Sequence, residues 1–211
     1  PLGDQRGLYL GPAEDLIADF PKIDIEIPRE EILERMEGLY EEFSHYCAYA
    51  DAYDAVRGEG EPRLSPTRLK EVPDWAENLA IRDRRAEIKK QYGTAGERAC
   101  YFTEGGYCTL FSEGMKLAGN GGVDDLIAKA AALVYEDEFG HMCKGIIGLD
   151  AEDMSGADWD LMTDLSVELA GMRIDMHNVQ FSFPLSAERV AAIKAGDIEP
   201  VVFDFEKVEA A

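Results

Sequence analysis

The chain has 211 residues, 46% of them hydrophobic and 30% charged. That length can bury a core without staples, and the balance excludes a disordered or collagenous bulk. Acidic residues outnumber basic ones 43 to 21, for a formal net charge of −22. Such a surface repels phosphate, and the longest basic stretches are Arg82-Asp83-Arg84-Arg85 and Lys89-Lys90. Neither nucleic acid nor an anionic membrane is therefore expected as a partner. No apolar run approaches the roughly 20 residues of a membrane span and no secretory-type leader opens the chain, so the cytoplasm is the expected location.

In chain order, residues 1–27 read as an N-terminal arm. Gly11-Pro12-Ala13-Glu14-Asp15 resembles a short helix start that Phe20-Pro21 ends, and Ile23, Ile25 and Ile27 alternate with Asp24 and Glu26 as a brief extended stretch. Pro28, followed by Glu30 and Glu31, opens a long helix A over 28–57, since acidic side chains suit the positive end of a helix dipole. Ile32, Met36, Leu39, Phe43, Tyr46, Ala50 and Tyr53 line one side of it. The stretch 58–75, with Pro62, Pro66 and Pro73, reads as a crossover loop. Helix B is predicted over 75–118, with an interruption near Gly93-Thr94-Ala95-Gly96. Helix C follows Asn120-Gly121-Gly122 and runs from Asp124 to about 148. Helix D spans 157–182 with Met162, Leu165, Leu169, Met172, Met176 and Val179 on one face. The predicted class is all-α, a four-helix bundle over 28–185 followed by a tail, 186–211.

Cys47, Cys100, Cys108 and Cys143 share no CxxC spacing and sit in helix-like patterns, so they read as reduced, partly buried thiols and not as a zinc knuckle. The chain's three histidines are more informative. His45 follows Glu42 by three and His141 follows Glu138 by three, so each pair presents a carboxylate and an imidazole on one helix face. Glu138 and His141 fall within the apolar arc of helix C. Glu104 falls among Cys100, Cys108, Phe111 and Met115 on helix B. A carboxylate in an apolar stripe is costly as an anion unless a cation offsets it. Arg173, on the helix D stripe, is one cation for several inward carboxylates; a pair of divalent metal ions would serve them all. The plain alternatives are a solvated face for Glu42 and His45, a surface place for His177, a salt-bridge role for Glu97, and core packing for Tyr101, Phe102 and Tyr107. Glycines at 105, 106, 140, 145 and 171 inside helices suggest either a cavity or close helix contact.

Glu42/His45, Glu104 and Glu138/His141 lie in the order Glu-x-x-His, crossover, Glu, Glu-x-x-His. From residue 30 to residue 182 this run resembles the ferritin-like di-iron carboxylate superfamily. The resemblance implies a ferritin-like bundle in which these five residues ligate two metal ions, with Glu104 and Glu138 bridging. For the sixth ligand the candidates are Asp175 and His177 on helix D, with Glu14, Asp15 and Asp19 of the arm as the competing source. Implied with the family are iron, either two ions or a manganese/iron pair, and dioxygen as co-substrate. An oxidase or oxygenase acting on a small organic substrate is thus expected, with Tyr101 and Tyr107 as aromatics that shape a pocket or relay an electron. Two further readings use other classes: iron storage or peroxide scavenging, and a metal-free helical interaction module. No nucleotide or flavin fingerprint is present, so any electron donor would be external. A homodimer suits all of these but storage, which needs a closed shell of many subunits.

Overall fold

The computed structural model describes residues 2–65, 73–181, 183–200 and 202, the first nine of these as backbone only. Every regular element among them is helical, apart from an isolated bridge between Ile23 and Ile27. The elements are α1 (Leu2–Asp19), α2 (Arg29–Val56), α3 (Ala76–Gln91), α4 (Gly93–Phe102), α5 (Gly105–Met115), α6 (Gly122–Lys144), α7 (Gly156–Gln180) and α8 (Ala187–Lys194), with single 3-10 turns at Phe20–Lys22 and Leu149–Ala151. No helix of the described residues is long and apolar enough to cross a membrane. Residues 66–72 of the expected crossover, Pro66 among them, and residues 203–211 of the tail lie outside the described residues.

The chain divides into two compact units. One holds residues 1–74 and 113–134, the other 75–112 and 135–211. In the first, α1 packs along α2, with Leu16 and Ile32 buried and Asp19 paired to Arg35 at 2.9 Å and to Lys22 at 2.6 Å. Tyr46 anchors a second small apolar cluster with Leu39, Ala50 and Leu64. The arm is thus more helical than its sequence suggests. α1 runs straight through Pro12, which removes one backbone donor without stopping the helix. The Ile23–Ile27 alternation is a tight turn and not an extended stretch: the Lys22 carbonyl accepts from the N–H groups of Ile25, Glu26 and Ile27, and Asp24 takes φ 61°.

The second unit is built on α3, α4 and α7, whose mutual contacts enclose Ile81, Ile88, Ala99, Cys100, Leu165, Leu169 and Met176. α7 starts at Ser155 through a reciprocal cap with Asp158, which satisfies donors that a helix start otherwise leaves open. Predicted helix B is three helices. The first break is at Tyr92, where Gly93 takes φ 52°. The second is at Thr103, whose hydroxyl donates to the carbonyls of Ala99 and Cys100. From Glu104 to Tyr107 the backbone then closes three-residue turns, Glu104 N–H to Tyr101 and Tyr107 N–H to Glu104 among them. Helices α2, α6 and α7 agree with helices A, C and D to within a few residues, while α8 lies in the stretch read as tail.

Candidate metal centre

Glu104 sits on the tight turn between α4 and α5, so its direction is set by that turn and not by a continuous helical face. The end of α6 is brought to it by close approaches. A Cβ at Gly145 would lie 2.5 Å from the Phe102 backbone nitrogen, a contact only glycine permits, and one at Gly105 would press on the Met142 side chain, which would have to shift. Arg98 fastens the same junction by donating to the carbonyls of Lys144 and Ile147 at 2.6 and 2.7 Å and to Glu152 at 2.7 Å. By contrast, a Cβ at Gly140 or Gly171 would meet nothing within 4 Å.

These contacts bring Glu104, Glu138 and His141 together. One ligand atom from each lies within 4.8 Å of the other two, and all three side chains are half-buried. His141 Nδ1 stands 3.5 Å from Glu104 Oε2. Three donors bound to one ion at about 2.1 Å each stand roughly 3–4 Å apart, so the group closes on an ion by side-chain movements of up to roughly an ångström. Two carboxylates and an imidazole are a donor set suited to iron or manganese. Among the described residues no other group of three such side chains meets this condition.

Arg85 is the residue that sequence reasoning missed. It ion-pairs with Glu104 Oε1 and donates to the Cys100 carbonyl at 2.9 Å. Glu104 therefore has a protein cation on one oxygen while its other oxygen faces His141. The expectation that the chain offers almost no cation to these carboxylates is corrected here: the break at Gly93 folds α3 back along α4 and brings Arg85 to Glu104.

In the second unit neither Asp175 nor His177 joins this group. Glu42 and His45 lie on α2 in the first unit, with His45 2% exposed and its Nδ1 3.5 Å from Glu42 Oε2. Glu14 and Asp15 are exposed on α1. Asp175 is held on the surface by Lys194, at 2.6 Å to both oxygens. His177 is half-buried and meets Tyr107 edge-on, with ring centroids 5.4 Å apart. Tyr101 carries the Lys89 ammonium over its ring at 4.7 Å, and the Arg173 guanidinium lies over Tyr107 at 3.7 Å. Phe102 is partly exposed, and Glu97 is exposed.

All four cysteines are unpaired, Cys47 exposed and the others buried. Burial pushes the Cys108 thiol up to about 12, with the nearby Glu138 carboxylate acting in the same direction. A thiolate ligand at Cys108 is thereby disfavoured. Comparison of the chain with protein families, with characterised proteins and with solved structures finds no match.

Proposed function

We propose that the chain is a non-haem iron oxidase or oxygenase of the di-iron carboxylate kind, using dioxygen to oxidise a small organic substrate, with a ferritin-like four-helix bundle as its architecture. The observation that supports this reading is the convergence of Glu104, Glu138 and His141 within ligand distance of one another. Iron or manganese, when bound there, would supply the one- and two-electron chemistry that protein side chains lack.

The chain's own share follows from its geometry. Arg85 holds Glu104 Oε1 and leaves Oε2 free to turn towards the ion and His141. Such an ion pair tempers the carboxylate's basicity, so Glu104 is shared between Arg85 and the ion. Gly145 lets the α6 end come against the turn and Arg98 ties the two together, so the three donors are held near one another before any ion arrives. Any electron donor is external, and a homodimer is the assembly we favour over a storage shell.

Elemental analysis of protein grown with iron and manganese tests the reading. One or two ions per chain are expected, two being the di-iron form, and well under one would overturn it. A large closed assembly on a sizing column would favour storage instead. The Arg85–Glu104 pair favours a second reading, a metal-free helical module in which protein cations neutralise the acids. Unchanged melting after chelation would support that module against the oxidase.

A further inference from the structure

Arg173 and His177 lie one helical turn apart on α7, so their side chains share a face. Arg173 is 5% exposed, and its Nε and Nη1 are buried with no hydrogen-bond partner among the described residues. Its guanidinium rests on the Tyr107 ring, which attracts the cation through its face but leaves the in-plane N–H groups unanswered. A guanidinium does not shed its proton. The fold has thus buried a permanent cation in a chain with a formal net charge of −22 while leaving its Nε and Nη1 unanswered among the described residues.

The neighbouring imidazole makes a different demand. His177 Nδ1 lies 2.9 Å from Gln180 Oε1; with that oxygen turned to it, the neutral ring carries its proton on Nδ1 and presents a lone pair at Nε2. That Nε2 is also buried without a partner among the described residues. Tyr107 meets the ring edge-on and Phe181 stacks on it with centroids 5.9 Å apart. The stem of Arg173 lies where it does because residue 106 has no side chain: a Cβ there would stand 2.9 Å from Arg173 Cδ and 3.4 Å from Nε.

One face of α7 therefore asks for an anion at Arg173 and for a hydrogen-bond donor at His177, between aromatic walls. We infer that Arg173, His177 and Tyr107 form a binding site for a small organic carboxylate that carries a neighbouring hydroxyl group. The carboxylate accepts from the guanidinium, and the hydroxyl donates to His177 Nε2. None of these residues belongs to the Glu104–Glu138–His141 cluster, so the site stands whether or not a metal binds.

Calorimetric titration of the full chain, as purified and after chelation, provides the test. The probes are hydroxyacetate and 2-hydroxybenzoate, compared with acetate, benzoate, hydroxyacetamide and inorganic phosphate. A hydroxy acid is expected to bind saturably, roughly tenfold tighter than the neutral amide and several-fold tighter than its parent acid. Arg173→Gln is expected to weaken it by roughly tenfold or more, and His177→Phe to abolish the preference over the parent acid. Gly106→Ala keeps the charge and crowds the Arg173 stem, so it should weaken binding even where Arg173→Gln fails to fold. No binding by either hydroxy acid, binding indifferent to Arg173→Gln and Gly106→Ala, or tighter binding of phosphate would overturn the inference. Binding that vanishes on chelation would also overturn it, since the ligand would then sit on a metal; that outcome would leave the metal centre intact.

Discussion

Glu42-Phe43-Ser44-His45 and Glu138-Phe139-Gly140-His141 share a spacing, a phenylalanine and a helical setting, yet their imidazoles are used differently. On α2 the His45 ring is 2% exposed and its Nδ1 faces Glu42 of the same turn. On α6 the His141 side chain is 26% exposed and its Nδ1 faces Glu104 of another element. Spacing alone delivers a carboxylate and an imidazole to one helix face. Whether the pair can hold an ion is decided by a third donor, and a third donor depends on how other segments turn.

That comparison breaks first at the ligands themselves. Glu138→Gln and His141→Ala are expected to lower metal affinity by more than about 100-fold, beyond the usual loss of a supporting residue, as measured by competition with a chelating dye. His45→Ala should show itself in stability: losing a buried, bonded imidazole lowers the unfolding free energy by about 1–3 kcal/mol in a urea titration. His141→Ala in chelated protein should lose less than His45→Ala. Equal losses would erase the distinction drawn between the two pairs.

Arg85→Gln sharpens the electrostatic side of the same contrast. Without Arg85, Glu104 depends on a metal for its counter-charge, so the gap in Tm between metal-loaded and chelated protein should widen. A ligand at a thousandfold excess over its Kd stabilises by about 4 kcal/mol, a span that thermal melts resolve readily. An unchanged gap would show that Arg85 does not share Glu104 with the ion.

Two smaller effects concern the groups around the centre. Burial, chiefly, holds His177 below the ordinary histidine range, with Arg173 adding to the shift against the Gln180 bond. The unfolded chain therefore takes up a proton below about pH 6.5 that the folded chain resists. The neutral ring's stabilising share is present above that pH and is lost as the pH falls towards the depressed value. Tm should accordingly drop on acidification from pH 7 through about pH 6, and His177→Phe should flatten that slope. Smallest is the thiol count: native protein should expose only Cys47 to a disulfide reagent, and denatured protein all four cysteines.

Much of the helical layout was legible because its punctuation is local. Pro28 and the Arg57-Gly58 stop bracket α2, and Asn120-Gly121 precedes α6. The break at Thr103 was not legible, since a threonine hydroxyl bonding back to Ala99 and Cys100 leaves no compositional mark. With helix B read as one rod, Arg85 would lie about 28 Å along the axis from Glu104. The glycines at 93 and 96 were the signal that it does not. Glu104, Glu138 and His141 could be singled out by apolar context and spacing, whereas the surface pairing of Asp175 with Lys194 depends on α8, which residue patterns did not reveal. The unanswered guanidinium of Arg173 was visible only as a cation on an apolar stripe.

The most direct test of the metal centre is anomalous scattering at the iron edge from a crystal of protein loaded with ferrous ion. The account predicts a peak within bonding distance of Glu104, Glu138 and His141, reduced to background in Glu138→Gln. A clean map at these three residues, or a peak that survives the substitution, would contradict it.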